Sequence, residues 1–176
     1  MTVFENESVT WRLFTPSDTL FAYQVAVAND PRWWMICKNG LSPQKVLEAA
    51  QGFSAGVVIH DDSRELGIAV LSETGAAGTG KLDVWSLQDE IAIGAVASII
   101  IEILEAAFSA SDIRALYFEH FENDIDLLGV TNTWWKTQVV YPEFAMIQGT
   151  YEARTCQVLT RSDFEKFSQQ FRDNAS

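Results

Sequence analysis

The residue types that carry most hydrolytic and metal chemistry are few in this chain of 176 residues, and they stand apart. His60 and His120 fall at the ends of two candidate strands, and spacing identifies no serine or cysteine partner for either. A hydrolytic triad is not indicated. Cys37 and Cys156 have no CxxC spacing and no histidine nearby, so they form no zinc motif. One disulfide between them would be a poor scaffold for so large a core, and two buried or half-buried thiols in a reducing compartment are expected. No His/Asp/Glu cluster has metal-ligand spacing. The passage Gly75-Ala76-Ala77-Gly78-Thr79-Gly80 lacks the Lys-Ser/Thr that would hold a phosphate, and reads as a turn between strands.

Carboxylates are plentiful. Asp and Glu total 24 against 12 Lys and Arg, a formal charge of −12. A polyanionic duplex would be repelled at long range, which argues against nucleic-acid binding. From Asp83 to Asp126 ten acidic residues (Asp83, Asp89, Glu90, Glu102, Glu105, Asp112, Glu119, Glu122, Asp124 and Asp126) face Arg114 alone. Solvated surface is the plain account of such a run, and an acidic DNA mimic is the alternative that charge alone suggests.

The elements that must position these groups have ample material for a core. The chain is 48% hydrophobic, with 11 Phe and 6 Trp, enough for one domain. The start, MTVFENESV, lacks the basic and apolar runs of a signal peptide. Ile91–Ile101, the longest uncharged apolar stretch, is too short to span a bilayer. A soluble, cytoplasmic protein with no membrane partner is expected.

The reading along the chain starts with a strand, Val9–Phe14. Thr15-Pro16-Ser17-Asp18 then caps a helix over Thr19–Ala28, which stops at Asn29-Asp30-Pro31. Ser42-Pro43 opens a second helix ending near Gly52. Ala55–His60 and Glu65–Ser72 form a hairpin around Asp61-Asp62-Ser63-Arg64, and Lys81–Ser86 is a third paired strand. Ser86-Leu87-Gln88-Asp89 reads as a capping box, opening a long helix whose polar stripe is Ser98, Glu102, Glu105 and Ser109. Ala115–Phe121 is a strand, and a short helix is expected within Thr131–Val140, stopped by Pro142. A hairpin of Phe144–Tyr151 and Arg154–Thr160 turns around Glu152-Ala153. A second capping box, Ser162-Asp163-Phe164-Glu165, opens a terminal helix with Phe164, Phe167 and Phe171 on one face.

This order of elements resembles the GNAT superfamily of acyl-CoA N-acyltransferases over roughly residues 9–160. The local matches are Val9-Thr10-Trp11-Arg12-Leu13-Phe14-Thr15-Pro16-Ser17-Asp18 at the opening strand and first cap, Asn132 at the helix beside the cofactor, and Gly149-Thr150-Tyr151-Glu152 with Thr155–Leu159 at the closing hairpin. The Asn-Thr start of that helix is also similar to short GNAT-like proteins of bacteriophages. The resemblance implies an α+β fold, a mostly antiparallel twisted sheet flanked by helices, as a domain over 1–161 with an extra amphipathic helix and tail over 162–176. It also implies acetyl-CoA, bound along Trp85, Leu87, Ala92, Gly94, Ala95 and Asn132. The family motif Gln/Arg-x-x-Gly-x-Gly/Ala becomes Asp89-Glu90-Ile91-Ala92-Ile93-Gly94 here. Only Gly94 matches fully, and Asp89 and Glu90 put negative charge where a pyrophosphate would sit.

Acyl transfer to an amine needs a base for the incoming ammonium and an acid for the leaving thiolate. The resemblance points to Glu119 and Asp83 as central-strand carboxylates and to Tyr141 as the acid, although Tyr141 falls late and directly before Pro142. In that fold Trp33-Trp34 would wall the acceptor groove; for these and for Trp134-Trp135 the plain alternative is core packing. Two functions follow. One is acetyl transfer from acetyl-CoA to a small amine or protein amine. The other is a catalytically lapsed protein that acts by contact, for instance as a phage virion or host-interaction factor in the host cytoplasm. The terminal helix offers a route to a homo-oligomer or a protein partner, with packing on its own domain as the alternative.

Overall fold

The computed structural model describes residues 9–29, 42–73, 78–109, 112–122, 124–147 and 149–175. Trp33, Trp34 and Cys37 lie outside the described residues. The elements are β1 (Thr10–Leu13), a 3₁₀ turn (Pro16–Asp18), α1 (Thr19–Ala28), α2 (Pro43–Ala50), β2 (Ala55–His60), β3 (Glu65–Glu73), β4 (Thr79–Ser86), α3 (Glu90–Ser98) and α4 (Ile100–Ser109). They continue with β5 (Ala115–Phe121), a 3₁₀ helix (Gly129–Trp134), β6 (Lys136–Ile147), β7 (Thr150–Thr160) and α5 (Arg161–Ala175). The seven strands form one mixed sheet in the order β1-β2-β3-β4-β5-β7-β6. The fold is α+β, with helices flanking that sheet. Among the described residues no single helix is long and apolar enough to cross a membrane.

The chain divides into two compact units, Met1–Val70 with Val84–Ile99, and Leu71–Asp83 with Ile100–Ser176. In the first, β1 and β2 pair antiparallel from Thr10↔His60 to Leu13↔Val57. Asp18 secures the entry to α1: its carboxylate accepts from the Thr15 amide at 2.7 Å and from both Arg12 guanidinium nitrogens at 2.9 and 2.7 Å. The Ser42 hydroxyl accepts from the Lys45 amide at 3.2 Å and so opens α2. Val25, Ala26, Val46, Val58 and Ile68 make the core here, with Phe14, Phe21 and Trp85 against it. At Gly67 an added Cβ would meet the Trp85 carbonyl at 2.5 Å, so only glycine fits.

In the second unit β4 and β5 run parallel over Thr79↔Ala115, Gly80↔Leu116 and Lys81↔Tyr117. β5 pairs antiparallel with β7 from Ala115↔Thr160 to Phe121↔Arg154, and β6 pairs with β7 on its other side. Leu82, Leu116, Leu159, Ile103, Leu104 and Phe108 are buried. The phenylalanine stripe of α5 is used inside this unit: Phe164 stacks on Phe108 with ring centres 5.1 Å apart, and Phe167 stacks on Trp134 at 5.9 Å. Arg161 donates to the carbonyls of Phe108 at 2.5 Å and Ile113 at 3.0 Å, satisfying an acceptor in the last turn of α4. The stripe therefore needs no second subunit to cover Phe164, which is 5% exposed.

The structure corrects five local expectations. Helix α3 starts at Glu90 with Asp89 as its cap, because Ser86 is consumed as the last residue of β4. The long helix is interrupted at Ile99; the Ser98 hydroxyl donates to the Ala95 carbonyl at 2.7 Å and competes with the helical ladder. At α5 the cap is Thr160, whose hydroxyl accepts from the Asp163 amide at 3.1 Å and donates to its carboxylate at 2.7 Å. No helix covers 135–140. Pro142 sits inside β6 between register shifts at Thr137/Val139 and Tyr141/Ala145, on an edge strand where its missing donor costs least. The second hairpin turns not at Glu152-Ala153 but at Gly149, which has φ +84°.

Candidate functional site

Strand alternation builds the first constellation, within the second unit. Lys81 and Asp83 share one face of β4, Glu119 takes the same face of β5, and Glu152, Arg154 and Cys156 take it on β7. The Lys81 ammonium lies 2.8 Å from Asp83 and 3.4 Å from Glu119. Arg154 also pairs with Glu119, and its guanidinium sits 4.9 Å over the Phe144 ring. The structure thus brings Asp83 and Glu119 together, bridged by a cation. The registered pairing of β4 with β5 ends at Lys81↔Tyr117, just before Asp83 and Glu119.

Burial dominates the electrostatics. Asp83 is 8% exposed, and desolvation pushes its carboxyl above the ordinary aspartate value, with the Lys81 charge pulling the other way. Cys156 stands directly opposite Glu119, and burial with that negative charge pushes its thiol up, which suits an inert thiol better than a nucleophile. Glu152 is 5% exposed, and its Oε2 has no hydrogen-bond partner. Two carboxylates, Asp83 and Glu119, therefore meet two cations, Lys81 and Arg154.

Tyr141 is on β6 opposite Arg154, exposed, with its ring 5.9 Å from Phe144. It shares the face of the cluster but belongs to the edge strand, two strands beyond Glu119, instead of to a helix. Trp134 and Trp135 are buried; Trp134 packs on α5 and Trp135 lies 5.7 Å from Phe118. Core packing accounts for this pair. The Nδ1 atoms of His60 and His120 each lie 3.1 Å from the carbonyl of the next residue. Among the described residues no group of three His, Cys, Asp or Glu could hold a metal ion.

The second constellation is the first turn of α3, in the first unit. Asp89 Oδ1 accepts from the Ala92 amide at 2.9 Å and from Arg64 Nη2 at 2.8 Å. The Ala92 amide and then the Arg64 guanidinium hold this carboxyl below the usual aspartate range. Arg64 is presented by the β2–β3 turn, where Asp61 accepts from the amides of Ser63 at 2.7 Å and Arg64 at 2.8 Å. Such an Asx turn fixes the chain entering Arg64.

The residues assigned to acetyl-CoA by resemblance do not meet its needs together. Gly94 leaves open space, since an added Cβ would meet nothing within 4 Å. Ala92 and Ala95 face the core with Leu66, and Leu87 packs against them; Trp85 packs on the separate cluster of Val25, Val46 and Ile68. The Leu87 amide is already spent on the Leu66 carbonyl at 2.9 Å. Asn132, in the 3₁₀ helix, donates to Asp126 at 3.1 Å. A pyrophosphate needs bare amides and no competing anion; here a carboxylate occupies the turn and Glu90 follows it. The shape is open and the charge is wrong, so the coenzyme's pyrophosphate does not fit this turn.

Sequence reasoning named Asp83, Glu119 and Asp89 but missed their partners Lys81, Arg154 and Arg64, and it missed Glu152. Only Lys81 carried a local signal, the alternation Lys81-Leu82-Asp83.

No protein-family description and no curated sequence matches the chain. Solved structures do. A mutant of the spermidine N-acetyltransferase SpeG from Vibrio cholerae superposes with TM-score 0.72 at 15% identity, covering 93% of this chain and 99% of that one. SpeG with manganese ions gives 0.71 at 14%, covering 91% and 96%. A protein described as a phosphinothricin N-acetyltransferase gives 0.69 at 15%, covering 87% and 98%. At such identity the likeness establishes the fold.

Proposed function

We propose that this chain, which has the fold of the GNAT N-acetyltransferases, binds an amine on the carboxylate face of its second unit, and that the first turn of α3 in its first unit is closed to coenzyme A. The observation that carries this is Asp89, whose carboxylate fills the first turn of α3 and is held there by the Ala92 amide and Arg64. The Asp83 and Glu119 carboxylates, which already hold the Lys81 ammonium at 2.8 and 3.4 Å, support a cationic amine as the ligand class. The named activities of the structural neighbours agree with that class, since spermidine is an amine. In this reading Glu119 and Asp83 hold and orient an ammonium, and the protein acts through binding.

A second reading, active acetyl transfer to a small amine or protein amine, is favoured by Asp83. A carboxyl raised by burial is a stronger base than an ordinary aspartate. Glu119 would then take the ammonium proton, and Tyr141 would be the acid. A thiol-release assay with acetyl-CoA and a panel of primary amines decides between the two. The lapsed reading expects no amine-dependent thiol release; turnover that Glu119→Gln abolishes would establish the enzyme.

A further inference from the structure

The two cations on the carboxylate face of the second unit are held in different ways. Arg154 is clamped: its planar guanidinium pairs with Glu119 and lies 4.9 Å over the Phe144 ring. That ring in turn packs 6.3 Å from Phe121 and 5.9 Å from Tyr141, centre to centre. Lys81 is held by charge at the end of a flexible stem, 2.8 Å from Asp83 and 3.4 Å from Glu119. Its side chain is 29% exposed, against 11% for Asp83 and 22% for Glu119, so the cation is the most accessible of the three. The registered pairing of β4 with β5 ends at Lys81↔Tyr117. Lys81 thus stands at the last paired position and reaches forward along its own strand to Asp83.

Given amine binding on this face, we infer that Lys81 is the resident ammonium of the site, and that an external amine enters by displacing it. The occupant has the chemistry of the ligand: a compact primary ammonium with three donors, set between the two carboxylates that would receive an amine. The burial of Asp83 explains why the place needs an occupant, since a buried carboxylate facing a second one with no cation between them is costly. A ligand ammonium replaces Lys81 charge for charge. Lys81 can follow its stem out into water, whereas Arg154 stays on Phe144. Because Lys81 is tethered, it competes at an effective concentration on the order of millimolar or above. Lys81 therefore sets the selectivity of the face. A lone ammonium exchanges like for like, and the ligands that win are amines whose remaining part adds contacts of its own.

Thermal melts and calorimetric titrations of the full chain with ethylammonium chloride test this, with tetramethylammonium chloride as the control for charge without N–H donors. Lys81→Ala leaves room for the probe between Asp83 and Glu119. It should bind ethylammonium about tenfold more tightly than wild type, or better. Its melting temperature should climb to a plateau with ethylammonium and not with tetramethylammonium, and Lys81→Ala/Asp83→Asn/Glu119→Gln should lose that response. Equal affinity in wild type and Lys81→Ala, with binding lost in Asp83→Asn/Glu119→Gln, would overturn the displacement and leave amine binding standing. No response in any variant would overturn amine binding itself, and the displacement with it. Should Lys81→Ala fail to fold, the Cε resonance of Lys81 in wild-type NMR decides. It should shift on titration with ethylammonium. A Lys81 resonance that stays put while the Asp83 and Glu119 carboxyl resonances move would overturn the displacement.

Discussion

Asp89 and Asp83 are both aspartates with a basic partner at 2.8 Å, yet the fold treats them in opposite ways. Asp89 is 42% exposed at a helix start, where amide dipoles and Arg64 favour its charge. Asp83 is buried in a sheet, where desolvation works against its charge in spite of Lys81. The first is a cap that stabilises its helix and shuts out other anions. The second is a charge kept at a cost, and such costs are commonly retained where a site needs them. Structural economy explains Asp89; it does not explain Asp83 and Glu119 brought together around one cation.

The largest effect should come from taking away the shared cation. Lys81→Met leaves Asp83 and Glu119 facing each other, and should lose about 2–3 kcal/mol of stability, somewhat under a fully buried pair because Lys81 is partly exposed. Denaturant titration reads this, and adding Asp83→Asn to Lys81→Met should restore part of it. Full restoration by Asp83→Asn alone would show that Glu119 plays no part in the cluster.

Asp18 gives a calibration from outside both regions. The Arg12 guanidinium, with the Thr15 amide and hydroxyl, holds its carboxyl at about 2. A lowered carboxyl stabilises the fold above its unfolded value and loses that stability as pH falls. The chain should therefore lose about 2 kcal/mol between roughly pH 4 and pH 2, and Asp18→Asn should remove that segment of the stability–pH curve.

At α3 the expected change is smaller. Asp89→Ala should cost about 1 kcal/mol, the usual worth of a helix cap, with no change in the second unit's hydrogen exchange. Smallest is Asp83→Asn, and its sign is opposite. A carboxyl raised in the fold binds its proton more tightly there than in the unfolded chain, so its charge costs stability once pH exceeds the folded value. The variant should be more stable than wild type at neutral pH by about 1 kcal/mol or less, with the gap closing toward the ordinary aspartate range. A constant gap across pH would mean that Asp83 titrates normally.

The parts of the fold written in short-range signals were legible. Thr15 to Asp18 and Ser42-Pro43 mark α1 and α2 because a cap and its amides lie within four residues of each other. Where two cap-competent residues compete, sequence alone picks the wrong one: Ser86 for Asp89, and Ser162 for Thr160. The deciding factor was how far β4 and β7 extend, which strand pairing sets. Pro142 misled for the same reason, since its tolerance depends on β6 being an edge. At the site, Glu119 and Asp83 came from the resemblance, whereas their neutralisation depends on Arg154 and Lys81. Arg154 lies 35 residues from Glu119 and meets it only through the β5–β7 register.

Calorimetric titration of the wild-type chain with acetyl-CoA tests the closure of α3 most directly, with Asp89→Asn titrated alongside. The account predicts no binding heat for the wild type up to millimolar coenzyme, and a measurable gain in affinity once the Asp89 charge is removed. Micromolar binding by the wild type, unchanged in Asp89→Asn, would contradict it.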